Sequence, residues 1–279
     1  LFIDADEKLV FSENFQKPIL DKDYYFILCE NFGVKYGRVQ IINNHLNWIW
    51  DGVVHEVIKS LDSHEKSYAM LEDVVNAISW DGMRSQDPEK YHKDAQVLEK
   101  ALEKDPTNTR NTFYLAKSYQ DSNEPLKALE TFKKRSLMGQ FDLEVHWSLY
   151  QIGILEEKLN MPHETVVASY CKAYQSCPER AEPLYQLARY YNKCEKYVLS
   201  YVITQYALTL PEPKESLFLE AWIYEFGNLI EFSTAAYKIG KYEEARKACV
   251  QLLSKSNLPE VIRPSIENNL SCLKDIERK

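Results

Sequence analysis

From Tyr91 to the C-terminus, apolar residues recur every three to four positions, the period of a helix with one buried face. Val97, Leu98, Ala101 and Leu102 share one side of a helix over 94–104, and Leu126, Leu129 and Phe132 share one side of another over 125–138. Asp105-Pro106, Gly139, Pro178, Pro211 and Pro213 interrupt the pattern and act as stops. The pattern predicts helices over 94–104, 112–121, 125–138, 143–159, 162–177, 181–193, 196–210, 216–239, 240–256 and 259–278. Before Tyr91 the pattern shortens. Leu1-Phe2-Ile3 reads as the end of a buried strand, and 21–29 and 36–42 read as two strands about a turn at Asn31-Phe32-Gly33. Trp48 and Trp50 alternate with Ile49 on a further strand, Val53 to Ile58 adds β-branched residues after a bend at Gly52, and 64–79 reads as mostly helical.

The helical part repeats itself. Tyr114-Leu-Ala-Lys-Ser-Tyr119 and Tyr185-Gln-Leu-Ala-Arg-Tyr190 place Ala116 and Ala188 at equivalent positions 72 residues apart, twice 36. Ala101 and Ala173, each followed five residues later by Pro, keep the same separation. Helix pairs recurring near 34 residues, with small residues at close contacts, resemble tetratricopeptide repeats. Gly240-Lys-Tyr-Glu-Glu-Ala245 looks like the start of such a second helix. Ala101, Ala116, Ala173 and Ala188 are therefore expected at buried helix contacts.

Composition narrows the class. Only 8 glycines against 19 tyrosines among 279 residues suit packed helices better than a loop-rich β fold. A net charge of −8 argues against a general nucleic-acid surface. The six cysteines lack Cys-x-x-Cys spacing, so they read as free thiols of a reducing, cytoplasmic compartment. The most apolar stretch, 217–239, carries Glu220, Glu225 and Glu231, and is not a transmembrane segment.

The candidate chemistry lies near the N-terminus. Asp4 and Asp6 follow an apolar run at i, i+2, so on a strand both carboxylates point the same way. Two carboxylates that close repel unless a cation lies between them, and oxygen ligands suit Mg²⁺ or Mn²⁺. The other reading is an acidic turn. Trp48 and Trp50 on one strand face could stack on a sugar ring or pack in a core.

Taken together, Asp4-Ala-Asp6-Glu7, Trp50-Asp-Gly-Val-Val-His55-Glu56, Arg84-Ser85 through Lys90-Tyr91, and the helical Tyr114-Leu-Ala-Lys-Ser-Tyr119 resemble glycosyltransferases of family 2 that carry C-terminal tetratricopeptide repeats. The resemblance implies an α+β chain. Residues 1–80 would be the C-terminal part of a GT-A α/β domain, 81–90 a connecting loop and 91–279 the repeats. It implies a metal-dependent, inverting transfer from a nucleotide-sugar donor to a glycan, lipid-linked or protein acceptor. Asp4, Asp6 and His55 would meet Mn²⁺ or Mg²⁺, and Glu56 or Asp51 would deprotonate the acceptor. Arg84 and Lys90 would bind the diphosphate, and Trp48 and Trp50 the acceptor. The family's nucleotide-binding βαβ elements precede the Asp-x-Asp strand, so this chain is expected to be a fragment inactive alone. The alternative is a protein-interaction scaffold with an inactive glycosyltransferase remnant.

Overall fold

The computed structural model describes residues 1–31, 34–79, 87–213 and 218–277. The chain forms two compact units, Leu1–Met138 and Gly139–Lys279. The expected connecting loop at 81–90 lies within the first unit, and its residues 81–86 lie outside the described residues.

The first unit opens with β1 (Glu7–Phe11), β2 (Tyr24–Asn31) and β3 (Val34–Ile42), continues through β4 (Trp48–Asp51) and β5 (Val57–Ser60), and reaches β6 (Tyr68–Ile78). Four strands form a sheet ordered β1-β6-β2-β3, while β4 and β5 form a separate two-stranded ribbon. Among the described strand pairs, β2–β6 is parallel and the others are antiparallel. Tyr25, Ile27, Cys29 and Val74 fill the sheet core.

Two expectations are corrected here. Leu1-Phe2-Ile3 is not a strand: Leu1 and Ile3 are exposed, and a turn closed by Glu7 N donating to Asp4 O (3.2 Å) precedes β1. The alternation argument for Asp4 and Asp6 fails with it. The 64–79 helix is β6 instead. Leu71, Val74, Val75 and Ile78 satisfy a helical period, but the segment finds partners on both sides, β1 and β2, and ladder hydrogen bonds with two neighbours override the local pattern. Among the described residues no helix occurs before Lys90, so a GT-A α/β domain is not shown by this chain.

The first unit ends with α1 (Lys90–Lys104), α2 (Thr109–Asp121) and α3 (Pro125–Ser136), packed in sequence. The second unit contains α4 (Asp142–Lys158), α5 (His163–Ser176), α6 (Glu182–Lys193) and α7 (Tyr197–Ala207). A π-helical turn at Ile223–Gly227 then runs into α8 (Asn228–Lys238), followed by α9 (Tyr242–Leu253) and α10 (Arg263–Glu277). Within this unit each helix packs on the next. Ala116, Ala173 and Ala188 are fully buried, as the repeat spacing requires, whereas Ala101 is only half-buried.

One turn recurs between the two helices of each pair. Asn123, Asn160, Glu195 and Gly240 have φ of 59°, 53°, 59° and 79°. The next residue donates back to the carbonyl five positions earlier: Glu124 to Tyr119 (2.8 Å), Met161 to Glu156 (2.9 Å), Lys196 to Tyr191 (2.8 Å) and Lys241 to Ala236 (2.9 Å). This left-handed cap satisfies the last carbonyls of the first helix and turns the chain into the second.

Candidate functional site

The structure does not bring Asp4, Asp6 and His55 together as a metal site. Among the described residues no group of three or more His, Cys, Asp or Glu could hold a metal ion. Asp4 is exposed and lies 3.5 Å from Arg38 Nη1. The backbone carbonyl of Asp6 accepts from Ser79 N (3.0 Å) and Oγ (2.8 Å). The buried carboxylate of this turn is Glu7, which accepts from Arg38 Nη2 (2.5 Å), Asn76 Nδ2 (2.8 Å) and Asp4 N (3.0 Å). Burial pushes its pKa up, but these donors together outweigh burial and hold it below the ordinary glutamate value. The Mn²⁺ or Mg²⁺ implied by the resemblance therefore does not fit these residues as arranged.

His55 lies in the β4–β5 connection, with φ 52°. Its ring stacks on Tyr114 of α2, 4.3 Å between centroids and 18° from parallel. Arg110 donates from Nη2 to the His55 carbonyl (2.6 Å), and its guanidinium lies 4.8 Å from the Tyr114 ring centre. The residue as a whole stays exposed, yet its ring titrates below the usual imidazole value. Desolvation beside the helices is the main cause, Asp94 opposes it, and the charges of Lys117, Lys90 and Arg110 add to it. Burial also lowers the pKa of Lys117. His55 thus docks the ribbon on α2 as a neutral ring.

The remaining residues are dispersed. Trp48 Nε1 donates to Asn43 O (3.0 Å) and its ring meets Tyr24 edge-on, so this indole packs against the sheet. Trp50 touches Phe2 edge-on and is 54% exposed. Asp51 is paired with Lys59 across the ribbon (2.8 Å), which occupies the carboxylate a base would need. Glu56 is exposed. Lys90 opens α1, with its ammonium 5.3 Å from the Tyr91 ring centre. Arg84 lies outside the described residues.

In the second unit a different constellation emerges, on the face shared by the first helices of the pairs, α4, α6 and α8. The Tyr150 hydroxyl of α4 donates to Glu220 Oε2 (2.5 Å) and accepts from Gln186 Nε2 of α6 (3.0 Å). Gln186 Oε1 accepts from Arg189 Nε (2.8 Å), and Arg189 Nη2 reaches Glu157 of α4 (2.5 Å). Glu157 also accepts from Tyr170 OH (3.2 Å) and Lys193 Nζ (3.1 Å). Between α6 and α8, Asn192 Nδ2 donates to Glu231 Oε2 (2.8 Å) and to its carbonyl (3.1 Å). Burial raises the pKa of Glu220 and of Glu231, and raises Tyr185 to about 12.

The entry to α6 is held by a buried ion pair. Arg180 and Glu182 lie 2.6 Å apart at 3% and 1% exposure. Tyr224 OH donates to Glu182 Oε2 (2.6 Å) and accepts from Ala181 N (2.8 Å). Arg180 Nη2 donates to the carbonyl of Phe218 (2.7 Å), whose φ of 58° is strained for a bulky residue, while its ring stacks on Trp147 at 5.2 Å. Recurring helix pairs, one turn geometry and buried alanines at the contacts decide the class of this part. It is a tetratricopeptide-like array.

A solved structure is similar at the level of fold. BtubC (BKLC) from P. vanneervenii is similar with a TM-score of 0.53 at 11% identity, over 70% of this chain and 84% of that one. Two others are similar at lower TM-scores. The MamA protein has 0.47 at 16% identity, over 58% of this chain and 80% of its own. TTC0263, a thermophilic TPR protein in Thermus thermophilus, has 0.46 at 15%, over 65% and 91%. No family model matches the sequence, and no curated protein matches it significantly. Among the described residues no helix is long and apolar enough to cross a membrane.

The network of the tetratricopeptide-like array lies outside the reach of motif reading. Its pairs are 32, 36 and 39 positions apart in sequence (Glu157–Arg189, Tyr150–Gln186, Asn192–Glu231). Those separations are near one repeat, so polar residues recurring at the repeat period on first helices are the available signal.

Proposed function

We propose that the array is a protein-interaction scaffold that takes an extended polypeptide segment along α4, α6 and α8. The observation that carries this reading is the polar network joining the three helices. Packing alone would not select such a network, because buried polar and ionic groups stabilise less than apolar groups of similar volume. What they do supply is a face with fixed hydrogen-bonding groups, and Arg189 and Lys193 keep part of their heads in solvent at that face. The test is retention of random nonapeptide libraries by the full chain and by Arg189→Ala, with melting curves to confirm folding. Loss of retention to roughly a tenth is expected, as for removal of one charge-assisted contact. Equal retention by both proteins would refute the reading.

A second reading is glycosyl transfer, with this chain as part of a glycosyltransferase that moves a sugar from a nucleotide-sugar donor. Its support is the linked Asp-x-Asp and Gly-x-x-His-Glu motifs, together with an exposed Trp50 on the strand leading into the loop that carries Glu56. Glu56 would serve as base, since Asp51 is ion-paired. No step is routed through a metal. Saturation transfer with a panel of nucleotide sugars, with and without Mn²⁺, tests it; absence of any binding by a chain extended at its N-terminus would count against it.

A further inference from the structure

The seam between α6 and α8 is rich in acceptors and short of donors. The Oδ1 atoms of Asn192 and Asn228 are buried and accept no hydrogen bond. Asn228 is only 2% exposed, so bulk water does not compensate its orphaned oxygen. It stands three residues before Glu231 on α8, and i, i+3 residues share a helix face. Asn192 of α6 fixes which face that is, because it bonds Glu231. Arg189 is near enough for its charge to favour the ionised Glu231, but its guanidinium, like the Lys193 ammonium, is bound to Glu157. Three acceptors thus belong to this seam, and neither neighbouring cation, Arg189 nor Lys193, is bonded to any of them.

We propose that this seam receives the ammonium or guanidinium group of a basic side chain from a partner polypeptide. The inference rests on the binding-face reading above and names the chemistry of its occupant. A Lys head offers three donors and an Arg head five, enough to satisfy Asn192, Asn228 and Glu231 together. Either would neutralise a half-buried carboxylate, and charge-assisted bonds of this kind are the strong ones. Asn228 is buried, while Glu231 and Asn192 are half-buried and keep part of their surface in solvent. A basic partner also suits the chain, whose net charge is −8.

The test uses the full chain and four immobilised nonapeptide libraries, random except for a central Arg, Lys, norleucine or Glu. Wild type is expected to retain the Arg and Lys libraries about tenfold better than the norleucine library, the size of one buried charge-assisted contact. Glu231→Gln should bring that ratio to about one while the norleucine library is retained as before. Asn228→Leu, checked by its melting curve, should reduce the same ratio. Glu260→Gln removes an exposed carboxylate ahead of α10 and controls for general attraction; it should leave the ratio intact. The proposal is overturned if wild type holds the basic and norleucine libraries equally, or if Glu231→Gln keeps the preference. Equal retention that still depends on Arg189 sinks this inference alone. Retention of no library sinks the binding-face reading with it.

Discussion

Glu195→Gly should stabilise the second unit. Glu195 occupies the left-handed position of the turn between α6 and α7, with φ 59°. Its side chain is exposed, so removing it costs no packing. A residue with a Cβ is destabilised by about 1–2 kcal/mol in that conformation. Glycine removes this cost but loses about 0.5–1 kcal/mol more chain entropy on folding. The net gain is about 0.5–1 kcal/mol, or roughly 1–4 °C in the melting temperature of a unit this size. The backbone bonds of the turn, Glu195 N to Asn192 O (3.1 Å) and Lys196 N to Tyr191 O (2.8 Å), need no change. Urea and thermal denaturation followed by circular dichroism supply the measurement. Glu195→Ala is the control, because alanine carries the same conformational strain. Gly240→Ala, at the equivalent position with φ 79°, should lose about 1 kcal/mol. If Glu195→Gly is no more stable than Glu195→Ala, the strain assigned to this turn is absent.

Two further outcomes follow from packing and burial in the same unit. A Cβ at Gly153 would stand 2.6 Å from Tyr170 Cδ1, and the Tyr170 ring is fully buried, so Gly153→Ala should lose about 1–2 kcal/mol despite alanine's better helix propensity; a stability gain in urea would contradict the α4–α5 contact. His146 is 4% exposed, and its Nδ1 lies 3.2 Å from Ala173 O and 3.0 Å from Ser176 Oγ. Burial, reinforced by Arg180 and opposed by Glu182, lowers its pKa from 6.5 to about 4. The unfolded chain therefore binds this proton at higher pH than the folded one, so stability falls as pH drops from about 6.5 towards 4. Wild type should lose roughly 2 kcal/mol from this group between about pH 7.5 and 5, and His146→Gln should lack that component; parallel pH profiles for the two proteins would refute it.

The helices are legible in the sequence because apolar residues recur at the helical period, and several helices have a proline or glycine near a boundary. Pro178 after α5 and Gly240 before α9 mark boundaries that the structure keeps within a few residues. The sheet is less legible where one segment satisfies two periods. Leu71, Val74, Val75 and Ile78 fit a helix as well as a strand, and only the arrival of β1 and β2 on either side decides for β6. The Asp4-x-Asp6 spacing implies a shared direction only on extended backbone, and that turn is not extended. His55 stands out in the sequence for a reason the structure replaces. Its neighbours are Tyr114 and Arg110, 59 and 55 positions away, and no local pattern announces them. The α4–α6–α8 network is hidden for the same reason, since its partners meet only when helix pairs stack.

The sheet order sets a sequence of events as the chain is made. β2 and β3 are joined by a short connection and can pair as soon as both exist. β1 comes first yet pairs with β6, whose last residue is Ile78, so it waits through roughly sixty residues of synthesis with its backbone groups unpaired. Closing that long loop is the slow, entropically costly step of the sheet. Val10 and Phe11 remain exposed even after it. An emerging chain that stalls between Phe11 and Tyr68 therefore presents an open apolar strand edge, which is where aggregation of this unit would begin.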